Sequence, residues 1–146
     1  MNIATPHRQG FTLIEVMLAV VIASILAALT LPSYQRMVQK GRRADAIAAL
    51  TTVQQAQERW RTNQASYADT LDSLGIRSAE SPAGYYQIRL SEVSHSGYTI
   101  TATPVERRVQ AQDRSCAAIT VVAERGQVQY GGSNAAGTPT TECWAR

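Results

Sequence analysis

Residues 11–31 form one long, predominantly apolar run, and between Phe11 and Gln35 the only charged side chain is Glu15. As a helix rising 1.5 Å per residue, such a run spans about 30 Å, the thickness of a bilayer hydrocarbon core. Glu15 sharpens the constraint. A carboxylate in a membrane-spanning helix costs about 2.5–3.5 kcal/mol at the helix centre and less near an interface. Its presence therefore predicts a role, with a positive charge supplied inside the membrane as its partner. A freed α-amino group on Phe11 is one candidate. The competing reading is a carboxylate that snorkels to the headgroups.

The rest of the chain bounds the class. Its 146 residues allow one compact domain plus an anchor. A secretory signal peptide fits poorly: the segment before Phe11 is short, the apolar run exceeds a usual h-region, and no Ala-x-Ala site follows it. Arg36, Lys40, Arg42 and Arg43 follow the run, so a positive-inside count places the C-terminal side in the cytoplasm. The cysteines argue the other way. Cys116 and Cys143 are an even pair in the polar part, and an even pair in an exported domain predicts a disulfide rather than free thiols. It would close a loop of about 28 residues and contribute about 3.5 kcal/mol on the loop-entropy model. The net charge is +3, but from Arg77 to Arg146 seven arginines face six acidic residues. A nearly neutral domain is a poor electrostatic footprint for a dedicated nucleic-acid binder.

Along the chain, Pro32 is expected to loosen or kink the first helix, since it removes a backbone donor. Beyond it, Ala46, Ala49, Leu50, Val53, Ala56 and Trp60 recur at helical spacing and form one apolar face. Arg43, Gln54, Gln55, Glu58 and Arg61 fall on the other side. A loop carrying Tyr67 leads to a short helical turn around Leu71 and Leu74, with Gly75 as its C-cap. Alternation then predicts strands at Tyr86–Leu90, Tyr98–Thr103, Cys116–Ala123 and Gln127–Tyr130. Pro104–Ser115 reads as a polar surface loop, and Gly131–Thr141 as an irregular tail.

Few constellations carry chemistry. His7 precedes the apolar run and His95 stands alone in a turn. No nucleophile motif, glycine-rich phosphate loop or metal-ligand spacing occurs, so neither an enzyme nor a cofactor or metal site is expected. Asp69 and Asp72 are too few for calcium. Arg36, Lys40, Arg42 and Arg43 form a basic patch suited to lipid headgroups or acidic neighbours. Arg107, Arg108 and Arg114 could contact DNA phosphates, with Tyr85, Tyr86 or Tyr98 stacking on bases. Glu106 and Asp113 interleave with these arginines, and a solvated loop is the favoured reading.

The run Gly10-Phe11-Thr12-Leu13-Ile14-Glu15-Val16, with a short leader before it and a long apolar helix after it, closely resembles the class III signal of type IV pilins. Further along, the chain carries Gly41-Arg42-Arg43-Ala44-Asp45-Ala46, Gln57-Glu58-Arg59-Trp60-Arg61, Tyr67 and Leu71-x-x-Leu74-Gly75. Gly84-Tyr85-Tyr86, Asp113-x-x-Cys116 and Cys143-Trp144 follow. Together these are similar to the PilE-type minor pilins, a group related to the ComP DNA-uptake receptor pilins.

The resemblance implies an α+β type IV pilin fold. Its long N-terminal helix, half transmembrane and half amphipathic, would pack on a sheet of three or four antiparallel strands with a disulfide-bounded C-terminal region. It divides the chain into a leader (1–10), a transmembrane and assembly helix (11–35) and a periplasmic head (36–146). It implies cleavage between Gly10 and Phe11 by a prepilin peptidase, N-methylation of Phe11, and roles for Glu15 in subunit docking and register. The implied partners are other pilin subunits and an inner-membrane assembly platform. The protein would sit in the inner membrane with its head in the periplasm, then enter an extracellular pilus. There it would promote assembly, and through the pilus twitching motility, adhesion or DNA uptake. A pilus-borne DNA receptor and a type II secretion pseudopilin are the alternatives.

Overall fold

The computed structural model describes residues 10–144. The expected leader, with His7 and Arg8, falls outside them except for Gly10, and so does Arg146. The chain forms two compact units, one ending at Arg36 and the other beginning at Met37. A single helix, α1 (Leu13–Arg61), contributes to both.

In the first unit α1 begins where Thr12 caps it. The Glu15 amide lies 3.3 Å from Thr12 Oγ1 and 3.1 Å from the Thr12 carbonyl, and Val16 N–H donates to the same carbonyl at 3.2 Å. A threonine cap followed three residues later by glutamate is a capping-box sequence, and the acidic residue in the first turn suits the helix dipole. All residues of this unit from Gly10 to Arg36 are exposed, including Ile14, Leu18, Ile22 and Leu26. Pro32, the residue expected to loosen or kink the helix, lies inside it. The helix continues through it, because one missing donor leaves the neighbouring rungs in place.

In the second unit α1 backs a four-stranded sheet: β1 (Tyr86–Ser91), β2 (Gly97–Pro104), β3 (Ala118–Glu124) and β4 (Gln127–Ser133). The strands run in chain order, each antiparallel to the next. The register sets Ile88 opposite Ala102 and Ile100 opposite Val121, so the apolar positions share one face. Tyr86, Ile88, Tyr98, Ile100, Ile119 and Val121 are buried with Ala46, Ala49, Leu50 and Val53 of α1. Each fully buried large apolar side chain contributes about 1.5–3 kcal/mol. Gly97 is required at the start of β2, because a Cβ there would run into the Ala123 carbonyl.

Several expectations need correction. Gln57, not Trp60, completes the buried face of α1, and Trp60 is only half-buried. The Gln57 amide replaces a backbone partner: Nε2 donates to the Ala68 carbonyl at 2.8 Å, and Ala68 N–H donates to Oε1 at 2.9 Å. This pins the loop that brings Tyr67 edge-on to Tyr98, with centroids 4.8 Å apart. The short turn expected around Leu71 and Leu74 is present at residues 71–75. Its Gly75 still caps as expected, at φ +76, with Ile76 N–H reaching the Leu71 carbonyl and Gly75 N–H that of Asp72. Pro104–Ser115 is not wholly on the surface, since a 3-10 turn at Val109–Gln112 buries Gln110 and, just after it, Asp113. The tail is more regular than its glycines suggested. β4 extends through Gly131 and Gly132 to Ser133, where Gly132 faces Cys143 so closely that no Cβ could fit.

Candidate functional site

The Gly10–Phe11 bond precedes the helix. Thr12 is the capping residue, so Gly10 and Phe11 stand outside the ladder and are exposed, Phe11 at 83%. Among the described residues, and apart from its chain neighbours, no heavy atom lies within 4 Å of where a Gly10 Cβ would be. A peptide link in this position needs no local unwinding to be reached. Glu15 follows in the first turn, exposed.

The cysteines are joined. Cys116 and Cys143 form a disulfide with their Cα atoms 5.6 Å apart, and both are buried. The bridge holds a second 3-10 turn (Glu142–Trp144) against β4. There Trp144 Nε1–H donates to the Gly131 carbonyl at 2.6 Å, and its ring meets Tyr130 edge-on at 4.8 Å. Beside the bridge, Arg43 Nε and Nη2 grip both oxygens of Asp113 at 2.8 and 2.9 Å, and Nη1 reaches the Glu142 carbonyl. Gln110 Nε2 joins the same cluster, within 2.9 Å of Tyr86 Oη, 3.1 Å of Asp113 Oδ2 and 3.2 Å of the Gln39 carbonyl. Burial pushes the Tyr86 hydroxyl up to about 12, against some lowering by the Gln110 hydrogen bond. Burial also raises the Tyr98 hydroxyl, with Glu58 adding to the effect.

This cluster departs from what the sequence predicts. Arg43 does not stand on the polar side of α1 with the basic patch; its side chain is 11% exposed. Asp113 is not a solvated loop charge but its partner, 2% exposed. The signal was present, since Arg43, Ala46, Leu50 and Val53 share one helical face. Asp45 was also overlooked. Its Oδ2 accepts the Ser81 hydroxyl and its Oδ1 accepts Ala83 N–H at 2.9 Å, which fixes the turn before Tyr85.

Two of the three tyrosines considered beside the candidate DNA arginines are out of reach of a ligand. Tyr86 and Tyr98 are fully buried and present no face to a base. Tyr85 is half-buried, and the Arg42 guanidinium lies over its ring at 5.1 Å. Arg107 is exposed with φ +65; Arg108 lies beside Gly84, 3.9 Å from Glu80. Arg114 is exposed further on, its carbonyl accepting Ala135 N–H. His95 is exposed, and the described residues contain no metal-ligating cluster.

Both parts of the chain are similar in sequence to known proteins. Residues 5–31 match the prokaryotic N-terminal methylation motif. Residues 32–120 match the family described as type IV minor pilin ComP, DNA uptake sequence receptor. The type IV major pilin protein PilE of Neisseria gonorrhoeae is 32% identical over 96 residues, covering 66% of this chain and 56% of that protein. PilA, the type IV major pilin protein of Myxococcus xanthus, is 31% identical over 71 residues, covering 49% of this chain and 32% of its own length. A fimbrial protein of Neisseria meningitidis is 31% identical over 94 residues, covering 64% of this chain and 55% of that protein. The chain thus spans between a third and just over half of the relatives it matches. With the family match extending over more than half of its length, the chain belongs to the type IV minor pilin family of ComP.

Proposed function

We propose that this chain is a minor subunit of a type IV pilus, cleaved between Gly10 and Phe11, methylated on Phe11, and carried into the filament by residues 11–35 with 36–146 as its head. The observation that carries this reading is an exposed apolar helix, capped at Thr12 within the matched methylation motif and having no partner among the described residues of its own unit. Such a surface needs lipid first and protein later. The prepilin peptidase and the inner-membrane assembly platform are the agents that this sequence of states requires. Glu15, the lone charge in the run, would meet the new Phe11 amine of a neighbouring subunit, neutralising two charges at once. An inner-membrane stage with a periplasmic head accords with a buried disulfide, which an oxidising compartment maintains.

The test is mass spectrometry of the chain recovered from sheared filaments. The expected species begins at methylated Phe11 and lacks Met1–Gly10. Recovery of only the uncleaved chain, in membranes and never in filaments, would sink the reading. Glu15→Val is expected to remain processed but to be depleted from filaments.

A second reading has one specific observation in its favour, the family's description as a DNA uptake sequence receptor. In that case the pilus would carry this subunit as a DNA-binding module. Duplex binding that weakens with salt, and weakens again in the Arg107→Ala, Arg108→Ala double variant, would support it. Absence of binding at low salt would leave the structural role alone.

A further inference from the structure

We propose that the cleft between the last turns of α1 and the Thr70–Gly75 turn binds a carboxylated sugar residue. The cleft is an open groove of about 350 Å³, at the lower end of the range for small-ligand sites. Trp60 and Leu74 give it an apolar side, while Arg59, Asn63, Gln64 and Ser73 bring polar groups to its mouth.

Each group has capacity to spare. Among the described residues, the Arg59 guanidinium has neither an ion pair nor a side-chain hydrogen bond, so its forked donors are free to take a carboxylate in bidentate fashion. The Gln64 side-chain amide is likewise uncommitted; only its backbone carbonyl is used, by Arg61 Nη1 at 2.7 Å. The Asn63 amide gives one hydrogen bond, to Thr62 Oγ1 at 3.2 Å, and its oxygen is left to accept from a sugar hydroxyl. Trp60 supplies a flat apolar face with negative π density, suited to the C–H face of a sugar ring.

The walls are fixed in advance, which lowers the cost of ordering them on binding. Thr62 Oγ1 donates to the Arg59 carbonyl at 2.7 Å, the Arg61 guanidinium lies over Tyr67 at 5.6 Å, and Thr70 and Ser73 share a hydroxyl contact at 2.7 Å. The Gly75 cap closes the opposite wall.

A nucleic-acid strand fits this cleft less well. A phosphate backbone needs a run of cations, whereas Arg59 is the one cation lining the cleft. Arg61 is already engaged, by the Gln64 carbonyl and the Tyr67 ring. One cation, one aromatic face and two amides match a single carboxylate on a hydroxyl-rich ring. This inference is independent of the pilus assignment.

The test is a titration of the full, isotope-labelled chain in detergent micelles with digalacturonate, and with neutral digalactose for comparison. The two indole N–H resonances report separately, since Trp144 is tied to Gly131. The Trp60 resonance is expected to shift saturably while that of Trp144 stays. Digalactose should bind at least about tenfold more weakly, the scale of a lost charge-assisted pair. Arg59→Gln, at an exposed position that leaves the fold intact by circular dichroism, should weaken digalacturonate binding by about tenfold. The proposal is overturned by no saturable shift up to about 10 mM, by equal affinity for the two disaccharides, or by an unchanged affinity in Arg59→Gln. Displacement of the sugar by a single-stranded oligonucleotide at a lower concentration also overturns it.

Discussion

Up to Arg36, α1 exposes Leu18, Ile22 and Leu26 with no tertiary partner, and its side-chain hydrogen bonds are local: Thr12 to Glu15, Ser24 to the Val20 carbonyl, Thr30 to that of Leu26. From Met37 onward the same helix buries Ala46, Leu50 and Val53 and ties itself to the rest of its unit through Arg43, Asp45 and Gln57. One stretch is stabilised by what surrounds it from outside, the other by what the chain itself supplies. The polar anchors mark the difference. A span meant for lipid carries one ionisable group at its edge, whereas a helix meant for a sheet can use buried polar side chains as long-range pins. Perturbations of the second unit should therefore show in its unfolding and leave the first untouched, and the reverse should hold too.

Arg43→Ala should have the largest effect. It leaves Asp113 buried and unpaired beside Gln110, and breaking a buried pair from one side costs about 3–5 kcal/mol. Denaturant unfolding of the head should shift by that amount, while the helicity contributed by residues 13–36 in micelles stays constant. Unchanged unfolding would mean that the ion pair is solvated after all. Arg43→Met with Asp113→Leu should recover most of the loss, since replacing both charges removes the penalty.

Cys143→Ser comes next, at about 2–5 kcal/mol. It should also free the Glu142–Trp144 turn. Proteolysis between Asn134 and Trp144 is the readout, with cleavage expected in the variant and resistance in the parent. Equal resistance would show that Trp144 and its hydrogen bond to Gly131 hold the tail without the bridge.

The contrast between the two regions also explains what was legible in the sequence. Apolar periodicity reported the four strands and most of the helix face, because burial by area follows residue type position by position. The cysteine pair was legible because an even pair of cysteines in a small domain reads as a disulfide where the domain is exported. Arg43, Asp45, Gln57, Gln110 and Asp113 were not, because a buried polar residue is acceptable only when a specific distant partner exists, and spacing along the chain does not name that partner. Their effect on the candidate site is direct: Asp113 and Glu106 were weighed as neighbouring loop charges, yet only Asp113 is buried. The Trp60 cleft was hidden for a related reason. Trp60 continued the apolar stripe, and only the fold shows that Gln57 takes the inward place and leaves the indole at a surface.

A pH series addresses the buried tyrosines. Tyr86 is pushed up to about 12 and Tyr98 is raised as well, both chiefly by burial. The unfolded chain ionises its tyrosines near pH 10, so it loses protons that the folded head retains. Their contribution is complete below about pH 10 and declines as the pH rises to about 12, by roughly 3 kcal/mol for a two-unit shift. The denaturation midpoint should fall across that window, and Tyr86→Phe should flatten the slope. A midpoint constant to pH 12 would mean that water reaches the hydroxyls.

The smallest effect is expected at the other end of the chain, where no core exists to amplify it. Thr12→Ala removes the side-chain acceptor of Glu15 N–H and should cost about 1 kcal/mol of helix stability. In micelles this appears as faster amide exchange over residues 13–16 alone, since fraying is confined to the first turn. The unfolding midpoint of the head should not move. If it does, the two units are energetically coupled through the continuous helix. If instead the exchange rates are unchanged, residues 13–16 are held by the surrounding lipid rather than by their cap. In that case the Gly10–Phe11 link owes its accessibility to the membrane boundary and not to Thr12.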